Sequence, residues 1–156
     1  YINKMGKPTA TDYTELRMVA ERYVDAVNRF DGEAWGETWA PDGEWHVGEV
    51  HKGRDNLVPL WTGIMGGIPM VYMKVYSGVI DDVTGDTASG RWYLGEFLHF
   101  GEGKTSENCI CYQDTYTRID GQWYIQTRQF VGVYQGETGL TAEGFKPEFR
   151  GTAPAA

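Results

Sequence analysis

The chain has 156 residues, 41% hydrophobic and 14% aromatic, with 14 Lys and Arg against 22 Asp and Glu. That length and apolar share suit a single domain over 1–156 with a buried core. The net charge of −8 argues against nucleic acid or an anionic membrane as partner, because both require a basic surface.

No apolar run approaches the roughly twenty residues of a membrane span, and no secretory leader is visible, so a cytoplasmic protein is expected. Residues 1–10 are polar and read as loose. Asp12 opens a helix, with Glu15 three positions on as a capping box. Leu16, Val19, Ala20, Tyr23, Val27 and Phe30 recur at helical spacing and form its apolar face. Asn28 borders that face. A short second helix follows, with Ala34, Trp35 and Trp39 on one side, and APDG at 40–43 reads as a turn. Glu44 to Val50 is a strand with Trp45 and Val47 on one face and His46, a surface or interface histidine, on the other. HKGRD leads into a third helix with Pro59 in its first turn. Leu57, Leu60, Trp61 and Ile64 form its inner side, and Gly66–Gly67 end it. Met70 to Tyr76 is the next strand: Met73 and Val75 share one face, Tyr72, Lys74 and Tyr76 the other. DDVTGD at 81–86 reads as a turn.

From Thr87 to Tyr134, three runs rich in aromatic and β-branched residues are separated by GEGK and IDG, the pattern of an antiparallel meander. Its first strand carries Trp92, Leu94, Glu96, Leu98 and Phe100 on one face. The other face carries Arg91, Tyr93, Gly95, Phe97 and His99. Glu96 is a single carboxylate in an apolar row. Burying it costs several kcal/mol or raises its pKa, so it marks either a site or a bulge that changes the face. The opposite face is aromatic enough to predict a homo-oligomer. Cys109 and Cys111 share a strand face at a spacing poor for a disulfide and for zinc, and read as reduced thiols. From Gln135 onward a Gly/Pro/Ala-rich extension, 135–156, is expected to wrap over the body or a neighbour through Leu140, Phe145 and Phe149.

Helices first and a meander last give an α+β class. A bent antiparallel sheet closed by the N-terminal helices makes a cone with an apolar pocket. The sequence has no phosphate-binding glycine loop, G-x-S-x-G elbow or H-E-x-x-H pair, and His46, His51 and His99 lack ligand spacing. Neither a metal nor an organic cofactor is expected. A hydrophobic cavity with Tyr23, Asn28, Glu96 and Lys74 remains. That inventory suits proton transfer on a bulky apolar substrate, and equally suits plain ligand binding.

The stretches YVDAVNRFDGEAW, APDGEW, GRWYL and IDGQWYI resemble the SnoaL-like families of the nuclear transport factor 2-like superfamily, over a core of about 11–134. The look is nearest to bile-acid 7α-dehydratases, which share the last two stretches. Scytalone dehydratase, lindane dehydrochlorinase, ketosteroid isomerase, limonene epoxide hydrolase and formaldehyde-releasing diarylpropane lyases are more distant. The resemblance implies an α+β barrel-like cone and a cofactor-independent lyase acting on a bulky aromatic or polycyclic alcohol. The reaction would be dehydration, or an elimination such as deformylation of a lignin-derived diarylpropane. A ketosteroid-type isomerase and a non-catalytic binder of hydrophobic small molecules are the alternatives. Carried over by position, the dehydratase tyrosine falls on Tyr23, and the acidic residue of the GRWYL strand on Glu96. The catalytic aspartate falls on Asn28, with Asp25 and Asp31 nearby, and the histidine on Met73, beside Lys74. The last-strand arginine falls on Gly132, with Arg128 four residues earlier, read as an exposed ladder residue or interface ion-pair partner. The Asp–His dyad is therefore absent. The expected catalytic set is Tyr23, Asn28, Lys74 and Glu96, and Trp45, Val47, Met73, Trp92 and Phe130 are expected to contact substrate. The resemblance favours a trimer over a dimer.

Overall fold

A computed structural model describes residues 6–138; the contacts expected from Leu140, Phe145 and Phe149 lie outside that range. Helix α1 runs from Ala10 to Arg29 and starts a turn earlier than the sequence pattern suggested. Its cap is Thr9, whose hydroxyl accepts from the Asp12 N–H while the Asp12 carboxylate accepts from the Thr9 N–H. This reciprocal box contributes about 1 kcal/mol. Phe30 closes the helix in the left-handed region (φ 57°). Asp31 then caps α2, Gly32–Glu37, by accepting from the Ala34 N–H.

APDG is not a free turn. It lies inside strand β1, Trp39–Val47, which shifts register against its neighbour between Trp39 and Glu44. Gly48, at φ 70°, turns β1 into a short strand β2, Glu49–Lys52, which the sequence reading had merged with β1. Helix α3 spans Arg54–Gly66 and holds Pro59 in its interior rather than in its first turn. Leu57, Trp61 and Met65 are its buried residues, whereas Ile64 is exposed.

The remaining strands are β3 (Met70–Thr84), β4 (Thr87–Gly101), β5 (Lys104–Ile119) and β6 (Gln122–Gly136). DDVTGD is thus mostly strand, and only Gly85 and Asp86 turn the chain. The six strands form one sheet in the order β2-β1-β6-β5-β4-β3. β1 and β6 are parallel, and every other pairing is antiparallel. Register shifts fall at Val75/Ser77, Ile80/Asp82, Cys109/Ile110 and Thr115/Tyr116. Each such bulge adds local bend and twist, and together they curl the sheet without closing it.

Helix α1 lies on the concave side and packs Leu16, Val19, Ala20, Tyr23 and Val27 into the core with Trp35, Trp39, Trp92, Ile110 and Ile125. Asn28 fastens α1 to the edge strand β3. Its Nδ2 donates to the Met73 carbonyl at 2.9 Å, and its Oδ1 accepts from the Met73 N–H at 2.7 Å. Gly78 is needed where it stands, since a Cβ there would lie 2.0 Å from the Trp92 ring. Its bare backbone lets Trp92 lie flat against β3.

Candidate active site

Alternation along β4 puts Trp92, Leu94, Glu96 and Leu98 on the concave face. Trp92 and Leu94 are buried, while Glu96 and Leu98 are half-buried. Glu96 sits between Met73 on β3 and Asn108 on β5 in the ladder. Asn108 Nδ2 donates to Glu96 Oε1 at 2.9 Å, and Asn108 Oδ1 accepts from the Ser106 hydroxyl at 3.0 Å. The amide is thereby fixed as a donor toward the carboxylate. Burial raises the Glu96 pKa above the ordinary carboxylate value, and the Asn108 hydrogen bond offsets part of that rise. A carboxyl group whose pKa is raised keeps its proton to higher pH than an exposed one and is a stronger base once ionised.

Deeper in the cone lies a polar chain crossing three strands. Trp92 Nε1 donates to the Tyr116 hydroxyl at 2.7 Å, and that hydroxyl donates to Asp114 Oδ2 at 2.5 Å. Arg128 grips Asp114 in a two-point fork, Nε to Oδ1 at 2.8 Å and Nη2 to Oδ2 at 2.7 Å. Both partners are buried. The guanidinium carbon lies 4.3 Å from the centres of both the Tyr23 and Tyr112 rings, so cation–π contacts add to the fork. Burial works against the Arg128 charge, but Asp114 more than offsets this and holds its pKa above the usual value. The Tyr112 hydroxyl is pushed well up by burial, then by the neighbouring Tyr23 and by the Glu96 charge, with Arg128 opposing. Tyr112 therefore joins the floor of the cone to Glu96 nearer its mouth.

A groove of about 360 Å³ crosses the convex face of the sheet, lined by His46, Arg91, Gln113, Thr115, Thr127 and Gln129 among others. It contains neither Glu96 nor Tyr23, but Asp81 and Asp114 also line it, and Asp81 is paired with Arg91 there. Among the described residues no cluster of His, Cys, Asp and Glu could hold a metal ion, and no helix is long and apolar enough to cross a membrane.

Residues 8–129 match the model of the SnoaL-like domain, most of the chain. The chain belongs to the SnoaL-like family. Its fold is similar to hexachlorocyclohexane dehydrochlorinase LinA type 3 of Novosphingobium barchaimii, with TM-score 0.77 and 16% identity over 86% of this chain and 95% of that one. A scytalone dehydratase-like protein of Novosphingobium aromaticivorans matches with TM-score 0.75 and 16% identity over 89% and 95% of the two chains. A protein of unknown function from Mycobacterium tuberculosis matches with TM-score 0.70 and 22% identity over 80% and 77%. Such likenesses establish the α+β cone, and the fold alone.

Within this SnoaL-like cone the residues singled out from the sequence do not form one group. Met73 lies across the ladder from Glu96, Trp92 is four residues before Glu96 on the same face, Tyr23 packs in the core with Met73 and Trp92, and Trp45 is buried beside Trp35 and Trp39. Val47 packs at the margin of that core. Phe130 stands at the rim, 37% exposed, with its ring edge-on to Tyr112 at 6.1 Å. Two expected catalytic residues separate from the rest. Both polar atoms of the Asn28 amide are engaged by the Met73 backbone, which leaves it a structural role. Lys74 lies on the convex face, its ammonium 4.2 Å from the Phe97 ring centre and near Tyr72 and Tyr76. Strand parity alone places it opposite Glu96. Arg128, expected at the surface or an interface, is instead the buried centre of the floor. Asp114, Tyr112 and Asn108 were not singled out from the sequence at all.

Proposed function

We propose that this protein is a cofactor-independent lyase acting on a bulky aromatic or polycyclic alcohol, by water loss or a related elimination such as release of formaldehyde from a diarylpropane. The observation that carries this reading is Glu96: a half-buried carboxyl on an apolar concave wall, raised in pKa by burial and aimed by Asn108. For water loss, Glu96 takes the proton from the neighbouring carbon and returns it to the hydroxyl as the C–O bond breaks, while the Tyr23 hydroxyl, with Tyr112 beside it, hydrogen-bonds that oxygen. For formaldehyde release, Glu96 takes the hydroxymethyl O–H proton as the C–C bond breaks and returns it to the carbon left behind. Trp45, Val47, Met73, Trp92 and Phe130 supply apolar contact area, which a dehydrating or deformylating site needs to exclude bulk water. Asn28 and Lys74 take no part, for the geometric reasons given above. The dehydratase and dehydrochlorinase names of the structural neighbours are consistent with this class of chemistry. No metal, flavin, haem or nicotinamide enters the reaction as proposed.

The test is incubation with a panel of steroid, bile-acid and lignin-derived aromatic alcohols, followed by mass. Loss of 18 or 30 mass units, about one water or one formaldehyde, abolished by Glu96→Gln in a folded protein, is the expected result. Unchanged mass with a shifted ultraviolet band would indicate a ketosteroid-type isomerase, and binding without turnover a non-catalytic carrier; either refutes the lyase reading. We further propose a cytoplasmic homo-oligomer, a trimer rather than a dimer, assembled through the convex face. That face exposes Tyr72, Tyr76 and Tyr93, aromatic area that association would remove from water. A monomer by sedimentation at micromolar concentration would refute it.

A further inference from the structure

Two rows of polar side chains cross the convex face side by side, and the ladder sets both. Arg91 pairs with Gln113, Gln113 with Gln129 and Gln129 with His46, across β4, β5, β6 and β1. Two residues along each strand, Ser89 pairs with Thr115, Thr115 with Thr127 and Thr127 with Glu44. Neighbouring strands stand about 4.8 Å apart, so the plate is about 14 Å long, with amides at the centre of one row and hydroxyls beside them in the other. The convex groove of about 360 Å³ follows this plate, and its volume lies in the range of about 300–1,000 Å³ common to small-molecule sites. Gln113 and Gln129 are exposed in it.

The charged groups around the groove are already paired. Arg91 Nη1 donates to Asp81 Oδ2 at 2.7 Å. Glu44 lies 3.1 Å from His46 Nε2 and 2.8 Å from Lys52 Nζ, and the Asp114 carboxylate is held by Arg128. The centre differs. The Thr115 and Thr127 hydroxyls bond to each other at 2.6 Å, but among the described residues neither the Gln113 nor the Gln129 side chain has a hydrogen-bond partner. Each amide carries two N–H donors and a carbonyl acceptor, so the groove offers donors and acceptors in adjacent pairs with no net charge beside them.

That balance selects the ligand. An anion finds no uncommitted cation here, and a cation finds no uncommitted carboxylate. An apolar molecule would strip water from both amides without replacing the lost hydrogen bonds. A neutral molecule rich in hydroxyls fits. The N–H and C=O of one amide lie side by side, so it donates to one hydroxyl and accepts from the next, and a vicinal diol presents that pair. The second amide repeats the match one strand away. The adjoining row, Tyr93, Cys111 and Val131, is less polar, and Tyr93 is 41% exposed, an aromatic margin for the C–H face of a sugar ring. We infer that the convex groove is a binding site for a neutral saccharide of two or more rings, held by the Gln113 and Gln129 amides and separate from the concave site. Tyr72 and Tyr76 lie opposite Phe97 and against Gly95 of β4, beyond Tyr93 as seen from the groove. Association through that aromatic end of the face leaves the polar end open.

The test follows the side-chain amide resonances of Gln113 and Gln129 by NMR in the isotope-labelled full chain, titrated with cellobiose, maltose and lactose. At least one disaccharide is expected to move both resonances saturably, with Kd on the order of 1 mM, as suits a few hydrogen bonds in a water-open groove. Methyl β-glucoside should move them more weakly, and methyl β-glucuronide more weakly still, since its carboxylate meets no uncommitted cation. The paired substitution Gln113→Ala with Gln129→Ala, at two exposed positions, should keep the wild-type Tm and reduce disaccharide affinity at least about tenfold, read from the backbone amides of Thr115 and Thr127. Turnover on the alcohol panel should be the same in this variant as in the wild type, because the groove is not the reacting site. No shift with any disaccharide up to about 20 mM or undiminished binding in the paired variant would overturn the inference. So would tighter binding of the glucuronide than of the glucoside, or movement of the same resonances on dilution of the protein alone, which marks a second copy in the groove.

Discussion

Replacing Asn28 by Ala separates a structural amide from a catalytic one. The side chain makes two hydrogen bonds to one residue of an edge strand, at 2.9 Å to the Met73 carbonyl and 2.7 Å from its N–H. Each contributes about 0.5–1.5 kcal/mol net. Truncation also leaves two backbone groups of a buried residue without partners, and such a group costs about 1–3 kcal/mol where water cannot reach it. Because β3 is an edge strand, water can reach at least part of that side, and a total loss of about 2–4 kcal/mol is expected. Urea unfolding should show the midpoint fall with an unchanged slope, and thermal melting should shift downward by about 5–15 °C. Amide exchange at Met73 should accelerate well before global unfolding, since the fastener sits at the sheet margin. Asn28→Asp should be no milder at neutral pH, because a carboxylate oxygen would face the Met73 carbonyl, and it should recover on acidification as the carboxyl regains a proton to donate. A loss below about 0.5 kcal/mol for Asn28→Ala, with exchange at Met73 unchanged, would refute this reasoning and return Asn28 to the list of residues free to meet a ligand.

Glu96→Gln should stabilise the protein at neutral and alkaline pH. The folded carboxyl has its pKa raised by burial, so between the unfolded value of about 4.3 and the folded value the native state holds the extra proton, and stability falls as pH rises through that window. The variant should lose this part of the pH dependence of Tm, and a wild-type profile identical to that of the variant would contradict the assignment. Gly78→Ala should cost about 2 kcal/mol or more by chemical denaturation, because its Cβ would stand 2.0 Å from the Trp92 ring and force the indole or β3 to move. Asp114→Ala should cost about 3–5 kcal/mol, since it strands the buried Arg128 charge, whereas the paired Arg128→Met and Asp114→Leu change should cost much less or stabilise. Equal losses in the two denaturation curves would show that the pair is not coupled in this way.

The helices, the order of the elements and the face of β4 that carries Glu96 were legible because each rests on a local period. Trp92, Leu94, Glu96 and Leu98 alternate without interruption, and GEGK and IDG mark both ends of β5. The misreadings came where two local signals overlapped. Thr9–Asp12 and Asp12–Glu15 both have capping-box spacing, and the first prevails because the Thr9 hydroxyl and the Asp12 carboxylate answer each other. APDG and DDVTGD have turn composition, but strand pairing overrides it. The first is absorbed at a register shift of β1 against β6. The second continues β3 along its pairing with β4, where Asp81 meets Arg91 at 2.7 Å.

Arg128 shows why the floor of the site could not be read from alternation. Counted strictly by twos from Ile125, it falls on the opposite face from the core. The ladder, however, pairs Tyr116 with Ile125 and Thr115 with Thr127, so β6 carries one extra residue at that point. The bulge turns Arg128 inward to meet Asp114 directly across the ladder. Nothing in either strand's own sequence states that register. It follows from how the two strands bend around the same core, and the bend also brings Tyr23 from α1 over the guanidinium. Replacing a buried ion pair by an apolar pair of the same volume is often neutral for stability, so the Arg–Asp fork is not by itself a source of net stability. What the fork does provide is a guanidinium of fixed orientation. The same curvature that hid Arg128 in the sequence is what seals it from water against Tyr23 and Tyr112.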